Sequence, residues 1–159
     1  MSEDILFNPL PLRRITLKNR IIRSATYEGL GDESGIPCQE LADLYCRLAL
    51  GGVGALITGV VFISWEGRAM QPRQCGIDSD NKIEAWRRII DRVRKAETGV
   101  KLFMQLAHTG RQTRREVTGR AVLGVSSKAC TYFRQTVRVL RDEDISKIIR
   151  EFARGASRA

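Results

Sequence analysis

The side chains with the most chemistry in them gather in one stretch, Lys101-Leu102-Phe103-Met104-Gln105-Leu106-Ala107-His108-Thr109-Gly110-Arg111. It starts as a short apolar run and ends in polar groups and a glycine. That is the profile of a buried parallel strand delivering side chains to a site at its carboxyl end. Gln105 brings an amide that both donates and accepts, His108 is the only imidazole in the chain, and Arg111 is a permanent cation. A second strand with a polar end is Ile21-Ile22-Arg23-Ser24-Ala25-Thr26, followed by Tyr27, Glu28 and a loop carrying Gly29, Gly31 and Gly35. Cys38, Cys46, Cys75 and Cys130 are far apart, and no two form a C-x-x-C pair. With one histidine they do not spell a zinc site, and scattered reduced thiols are the expectation.

The elements that must position these residues follow from periodicity. Residues 6–20 alternate apolar and polar around Arg13-Arg14 and read as a small hairpin or extended cap. After the first strand, Pro37 pre-sets the first turn of a helix. Leu41, Leu44, Tyr45, Leu48 and Ala49 then fall on one helical face, and Gly51-Gly52 sits where a C-terminal cap is favoured. Val53 to Val61 is continuously apolar apart from Gly54, Thr58 and Gly59, as in a strand buried on both faces. A polar loop from Ser64 to Asp80 leads to a helix that Asp80 or Asn81 is placed to cap, with Ile83, Trp86, Ile89, Ile90 and Val93 as its apolar stripe. Gly99 ends it and the third strand follows at once, with its end expected at Gln105. Residues 107–140 carry little pattern. From about Asp142 a last helix puts Ile145, Ile148, Ile149, Phe152, Ala153 and Ala156 on one face. Strand–helix alternation with apolar strands predicts an α/β fold with a parallel sheet wrapped by helices. The 159-residue chain stops inside a helical pattern that should lead to a further strand, so the front part of a larger α/β domain is expected.

Composition narrows the function classes. With 43% hydrophobic and 28% charged residues the chain suits one globular domain and is too apolar for disorder. Its longest apolar run is much shorter than the roughly 20 residues of a spanning helix. The acidic start Met1-Ser2-Glu3-Asp4 lacks a secretion signal, and a cytoplasmic protein is expected. Charge is uneven: residues 1–80 carry 8 Lys+Arg against 10 Asp+Glu, and residues 81–159 carry 19 against 8. The basic half spreads its arginines through helical patterns without aromatic interleaving. Solvated helix faces are therefore expected rather than a nucleic-acid surface; a basic polyanion-binding module stays as an alternative.

Four segments, Leu6-Phe-Asn-Pro-Leu10, Leu17-Lys-Asn-Arg20, Gly51-Gly-Val-Gly54 and Gln105-Leu-Ala-His-Thr-Gly-Arg111, stand in an order and spacing that resemble the N-terminal part of the NADH:flavin oxidoreductase, or old yellow enzyme, family. Arg23-Ser-Ala-Thr-Tyr-Glu-Gly29 is similar to a bacterial branch with NADH oxidase-like and dienoyl-CoA reductase-like members. The resemblance implies the N-terminal portion of a (β/α)8 TIM barrel, with residues 1–20 as cap and 21–159 as the first βα units. It implies FMN as cofactor, NADH or NADPH as reductant, and a small-molecule acceptor such as an activated alkene. Ser24, Ala25, Thr26, Gly59 and Gln105 would contact the flavin, with Gln105 on its pyrimidine edge; Tyr27, Glu28, His108 and Arg111 would line the site. Plainer readings stand beside these: Thr26 as a β-branched strand residue, Gly59 as a packing concession, His108 as a structural histidine, Arg111 as a capping or solvated arginine. The family's substrate-holding His/Asn pair and phosphate-binding loops would follow Ala159. A catalytically inactive half-barrel that acts by association with another chain is the competing expectation.

Overall fold

The structure is a computed structural model that describes residues 5–97 and 99–159. The amino-terminal cap is an antiparallel hairpin, β1 (Leu10–Pro11) with β2 (Thr16–Leu17), preceded by a 3-10 turn at Ile5–Phe7. Then come β3 (Ile22–Arg23), α1 (Gln39–Leu50), β4 (Ala55–Phe62), α2 (Ile83–Ala96) and β5 (Lys101–Ala107). Strands β3, β4 and β5 form a parallel three-stranded sheet in that order, which is the sheet expected of consecutive βα units. The barrel is not closed within these elements.

One layer of core lies between the sheet and the two helices. From α1, Leu41, Ala42, Tyr45, Cys46 and Ala49 are buried, and from α2, Trp86, Ile89 and Val93. They meet Leu56 and Val61 of β4, with Leu102, Met104 and Leu106 of β5 packed against the same cluster. Burying each of the larger side chains contributes roughly 1.5–3 kcal/mol. Trp86 also satisfies its indole N–H on the carbonyl of Gly76 at 2.9 Å, so the ring is buried without an orphan donor.

The amino ends of the strands are fastened by two of the motifs singled out above. Asn19, 7% exposed, donates from Nδ2 to the Gly52 carbonyl (2.7 Å) and accepts the Ile21 N–H at Oδ1 (3.0 Å). A Cβ on Gly54 would lie 2.5 Å from the Asn19 carbonyl oxygen and 2.6 Å from its Oδ1. Only glycine lets the two segments approach so closely.

Several expectations need correction. Asp80 and Asn81 do not cap α2: they lie inside a 3-10 turn, Asp80–Lys82, that runs directly into the helix, and Lys82 is the residue before it. Asp80 instead pairs with Arg158 of the last helix at 2.6 Å. The connection 107–140 is more structured than its pattern suggested. It holds a one-turn helix α3 (Arg115–Thr118) and a second small parallel pair, β6 (Val122–Gly124) with β7 (Val137–Val139). The last helix, α4 (Asp142–Arg158), starts where periodicity placed it. Its apolar face is nevertheless open, with Ile145 44%, Ile149 63% and Phe152 37% exposed, and Gly155 its one buried residue among those described. At its start Asp144 accepts the Arg141 backbone N–H at 2.9 Å and pairs with both terminal nitrogens of Arg138. That bidentate pair holds the Asp144 carboxyl well below the ordinary range.

Candidate functional site

Side chains alternate across a strand. Since Leu102, Met104 and Leu106 point into the core, Phe103 and Gln105 stand on the opposite, helix-free face. That face is open: Ile22 is 46% and Phe103 40% exposed, and Gln105 is exposed with no partner for its amide side chain among the described residues. Gln105 lies level with Val60, and Phe103 level with Ile57, so β4 carries one residue more than β5 over this interval. The extra residue falls at Thr58-Gly59. Thr58, 3% exposed, donates its hydroxyl to the Gly59 carbonyl at 2.9 Å and accepts the Gln105 N–H at 3.1 Å. A side chain here replaces the ladder partner that the bulge removes.

At the end of β3 the chain turns polar as expected. Ser24 and Thr26 are exposed and Ala25 half-buried, with the Thr26 hydroxyl donating to the Ser24 carbonyl at 3.1 Å. Tyr27 closes across the loop and donates its hydroxyl to the Pro72 carbonyl; burial of that hydroxyl raises its pKa.

Glu28 does not project into solvent. Its side chain is 8% exposed and turned inward, where Oε1 accepts from Arg23 Nη1 (2.8 Å), the Tyr45 hydroxyl (2.8 Å) and the Gly59 N–H (3.1 Å). Arg23 also donates to the Ile57 carbonyl at 2.9 Å, and its guanidinium lies 5.9 Å from the Tyr45 ring centre. Burial first, then the Glu28 charge, holds the Tyr45 hydroxyl protonated far above its ordinary pKa. The same hub accounts for Gly59. A Cβ there would stand 2.5 Å from the Thr26 carbonyl oxygen and collide with the Glu28 carboxylate. Gly59 thus has a packing reason of its own: it lets the segment after β3 lie directly on β4.

His108 and Arg111 are not brought to Gln105. The His108 ring packs on Gly67, where a Cβ would come within 2.7 Å of its Cγ, and its Nδ1 accepts the Gly110 N–H at 3.1 Å. That bond makes Nε2 the protonated nitrogen, and Nε2 is buried without a partner. Burial lowers the His108 pKa, while Glu151 pulls it the other way. Arg111 donates to the Lys128 carbonyl at 3.0 Å. Both residues line a separate, mostly apolar groove of about 280 Å³ with Leu123, Val125, Leu140 and Ile148.

The polar residues that sequence reasoning passed over are Arg23, Tyr45, Thr58 and Gln74. Gln74, 1% exposed, fastens the loop after β4 by donating to the Val60 carbonyl (3.0 Å) and accepting the Ala69 N–H (2.7 Å). The one legible signal was Arg23 five residues before Glu28, opposite charges at the two ends of one short segment. Cys75 is buried in the core, which pushes its thiol up to about 12. Among the described residues no cluster of His, Cys, Asp and Glu is arranged to hold a metal ion, and no helix is long and apolar enough to cross a membrane.

Residues 5–159 match the NADH:flavin oxidoreductase / NADH oxidase family. The chain is 30% identical to the NADH oxidase of Thermoanaerobacter brockii over 155 residues, covering 97% of this chain and 24% of that one. It is 31% identical to the NADPH dehydrogenase of Geobacillus sp. (strain WCH70), covering 99% of this chain and 45% of the relative. In structure it superimposes on the old yellow enzyme homologue of Zymomonas mobilis with a TM-score of 0.86 at 29% identity, over 97% of this chain and 44% of that one. Morphinone reductase in complex with tetrahydroNAD gives the same TM-score, 0.86, at 22% identity, a likeness of fold. The chain therefore spans between about a quarter and a half of the length of these relatives. Its three parallel strands fall within the part of that fold that superimposes. The chain belongs to the NADH:flavin oxidoreductase / NADH oxidase family.

Proposed function

We propose that this chain supplies the first strands of an FMN-dependent oxidoreductase that takes reducing equivalents from NADH or NADPH and passes them to a small acceptor such as an activated alkene. The observation that carries the reading is the open face of the β3–β5 sheet. Its floor is apolar (Ile22, Phe103), and one unengaged amide, Gln105, stands at its polar end. That arrangement fits a flat, largely apolar ring with hydrogen-bonding atoms along one edge. Bound there, FMN would supply hydride acceptance and donation.

The chain's own residues then act by holding and orienting. Gln105 donates to and accepts from the ring edge, and Thr58 fixes the depth of the Gln105 backbone. Ser24, Ala25 and Thr26 form the neighbouring wall. Gly59 contributes by letting residues 26–28 lie close against β4, and the Arg23–Glu28–Tyr45 hub holds that wall still. Tyr27 stands at the rim. Glu28, His108 and Arg111 take no part in contacting the reacting groups in this reading.

The test is flavin retention. The protein is incubated with FMN, desalted, and its visible flavin absorbance recorded, beside a Gln105→Ala variant. Losing an amide hydrogen-bonded to the ring should weaken retention about ten-fold, with an unchanged urea midpoint because Gln105 supports nothing else. Equal retention by the variant would remove Gln105 from the site. A second reading, action through association with another chain, is favoured by the exposed Ile145, Ile149 and Phe152 of α4. Sedimentation analysis of the chain with and without FMN separates the two, since a flavin-loaded monomer contradicts the second.

A further inference from the structure

A groove of about 270 Å³ runs along α2 from Ile83 to Arg94, between that helix and β5. Its lining is largely apolar, with Leu102 and Met104 from the strand and Ile83, Trp86 and Ile90 from the helix. The reason it stands open is topological. β5 is the outer strand of its sheet, so α2 covers it from one flank and no further βα unit covers it from the other among the described residues. Leu102, Met104 and Ile90 are accordingly only half-buried. What fits such a groove is a second helix laid beside α2 with an apolar stripe turned to the strand.

The chain itself carries such a helix. On α4, Ile145, Ile149, Phe152 and Ala156 recur every three or four residues as one stripe, and all four are exposed. Stripe and groove each run about 16 Å along a helix axis. The α4 of the same chain does not turn its stripe into the groove. Its Gly155 is seated against Ile63 and Ile77, and Arg158, paired with Asp80, holds its end beside Ile83. Charge selects the incoming helix and its direction. Arg94 at the far end of the groove and Lys101 next to it have no acidic partner among the described residues. Of the other charged groups on α2 that line the groove, Arg87 is already paired with Glu84, and Asp91 is the only carboxylate. α4 opens with Asp142 and Glu143, both exposed and without a cation partner among the described residues. Laid antiparallel to α2, an α4 helix brings those carboxylates to Arg94 and Lys101 while its stripe meets Leu102, Met104 and Ile90.

We propose that the groove between α2 and β5 is filled by α4 of a second copy of this chain, and that the exchange is reciprocal, so that two chains pair about a two-fold axis. The inference rests on the reading of action through association with another chain, and it gives that reading both a partner and a surface. Each chain then covers the uncovered flank of the other's β5, and each α4 buries the stripe that its own chain leaves in water.

The test is sedimentation equilibrium of the 159-residue chain at physiological salt. The wild type should form a dimer with a Kd on the order of 10 μM. Ile149→Glu on the helix and Ile90→Glu in the groove should each weaken it at least about ten-fold. Mixing these two variants should restore pairing in part, because one intact helix then meets one intact groove. Arg94→Glu, at the surface and so harmless to the core, should weaken the dimer several-fold, and adding Glu143→Arg to the same chain should restore it. Far-UV circular dichroism and urea midpoints of Ile149→Glu and Arg94→Glu should match the wild type. A dimer lost in Ile149→Glu but kept in Ile90→Glu means that two α4 helices pack on each other, which overturns the groove and leaves the association reading standing. A dimer indifferent to both apolar variants, or to Arg94→Glu, likewise overturns it. A wild type that stays monomeric leaves the groove to an acidic helix of some other protein, and overturns the proposal of a second copy.

Discussion

At the amino ends of β3 and β4, Asn19 commits its whole amide to the backbone around it, holding Gly52 and Ile21. At the carboxyl ends, Gln105 commits none of its side chain. The two residues have the same functional group, and the difference lies in what surrounds it. Glycines let chain segments touch at both ends, Gly54 against Asn19 and Gly59 against Thr26, but Gln105 stands on a sheet face that no partner covers among the described residues. In α/β folds conservation of geometry at the amino end serves stability, and the carboxyl end holds the site. The amino end here follows the first half of that rule, since Asn19 spends its amide on the backbone of two neighbouring segments.

The comparison can be broken or sharpened by substitution. Glu28→Ala should have the largest effect, about 3–5 kcal/mol in urea unfolding, because it leaves the Arg23 guanidinium and the Tyr45 hydroxyl buried without their acceptor. A loss below about 1 kcal/mol would mean the hub is solvated and the open end needs no such foundation. Gly54→Ala comes next, at roughly 1–3 kcal/mol, since its Cβ meets backbone that cannot swing aside. Little change would show that the amino end is looser than its contacts imply. Third is a pH effect. Burial keeps the His108 pKa below its ordinary value of 6.5, so the unfolded chain takes up the proton first as pH falls. The stabilisation is therefore complete above about 6.5 and drains away as pH drops through the folded-state pKa. Urea midpoints measured between pH 7.5 and 5 should fall, and His108→Gln should flatten that fall; an unaltered slope would exclude the buried neutral imidazole. The smallest effect is expected at Arg88, 75% exposed and paired with Glu84 across one helical turn, where Arg88→Ala should stay within about 0.5 kcal/mol.

Much of the architecture was legible because period and punctuation agree. The Leu41–Ala49 and Ile83–Val93 stripes each became the buried face of a helix, and the strand after Gly99 appeared, running two residues past Gln105 to Ala107. Periodicity names a face without naming what covers it, so Ile149 and Phe152 read as core residues yet lie open. The parallel pair β6 and β7 left no trace in the pattern, since three residues apiece are too few to show alternation. Ser24, Thr26, Gly59 and Gln105 lie toward the carboxyl ends of the strands, where the order of strand and loop placed them. The roles of Glu28 and His108 were hidden for a physical reason: a polar residue beside a strand end points inward or outward according to partners that are distant in sequence. Tyr45 lies 17 positions from Glu28, and Gly67 is far from His108 along the chain.

The Thr58 hydroxyl joins Gly59 to Gln105 from within the packed layer, although neither of those residues shares that layer. A change made for the sake of the core, Thr to Val or Thr to Ser, would therefore be felt on the far side of the sheet as a change in where Gln105 stands. Drift in the interior has a route to the open face through a single oxygen. Two chains with identical surface residues at this end can accordingly present the Gln105 amide at different depths.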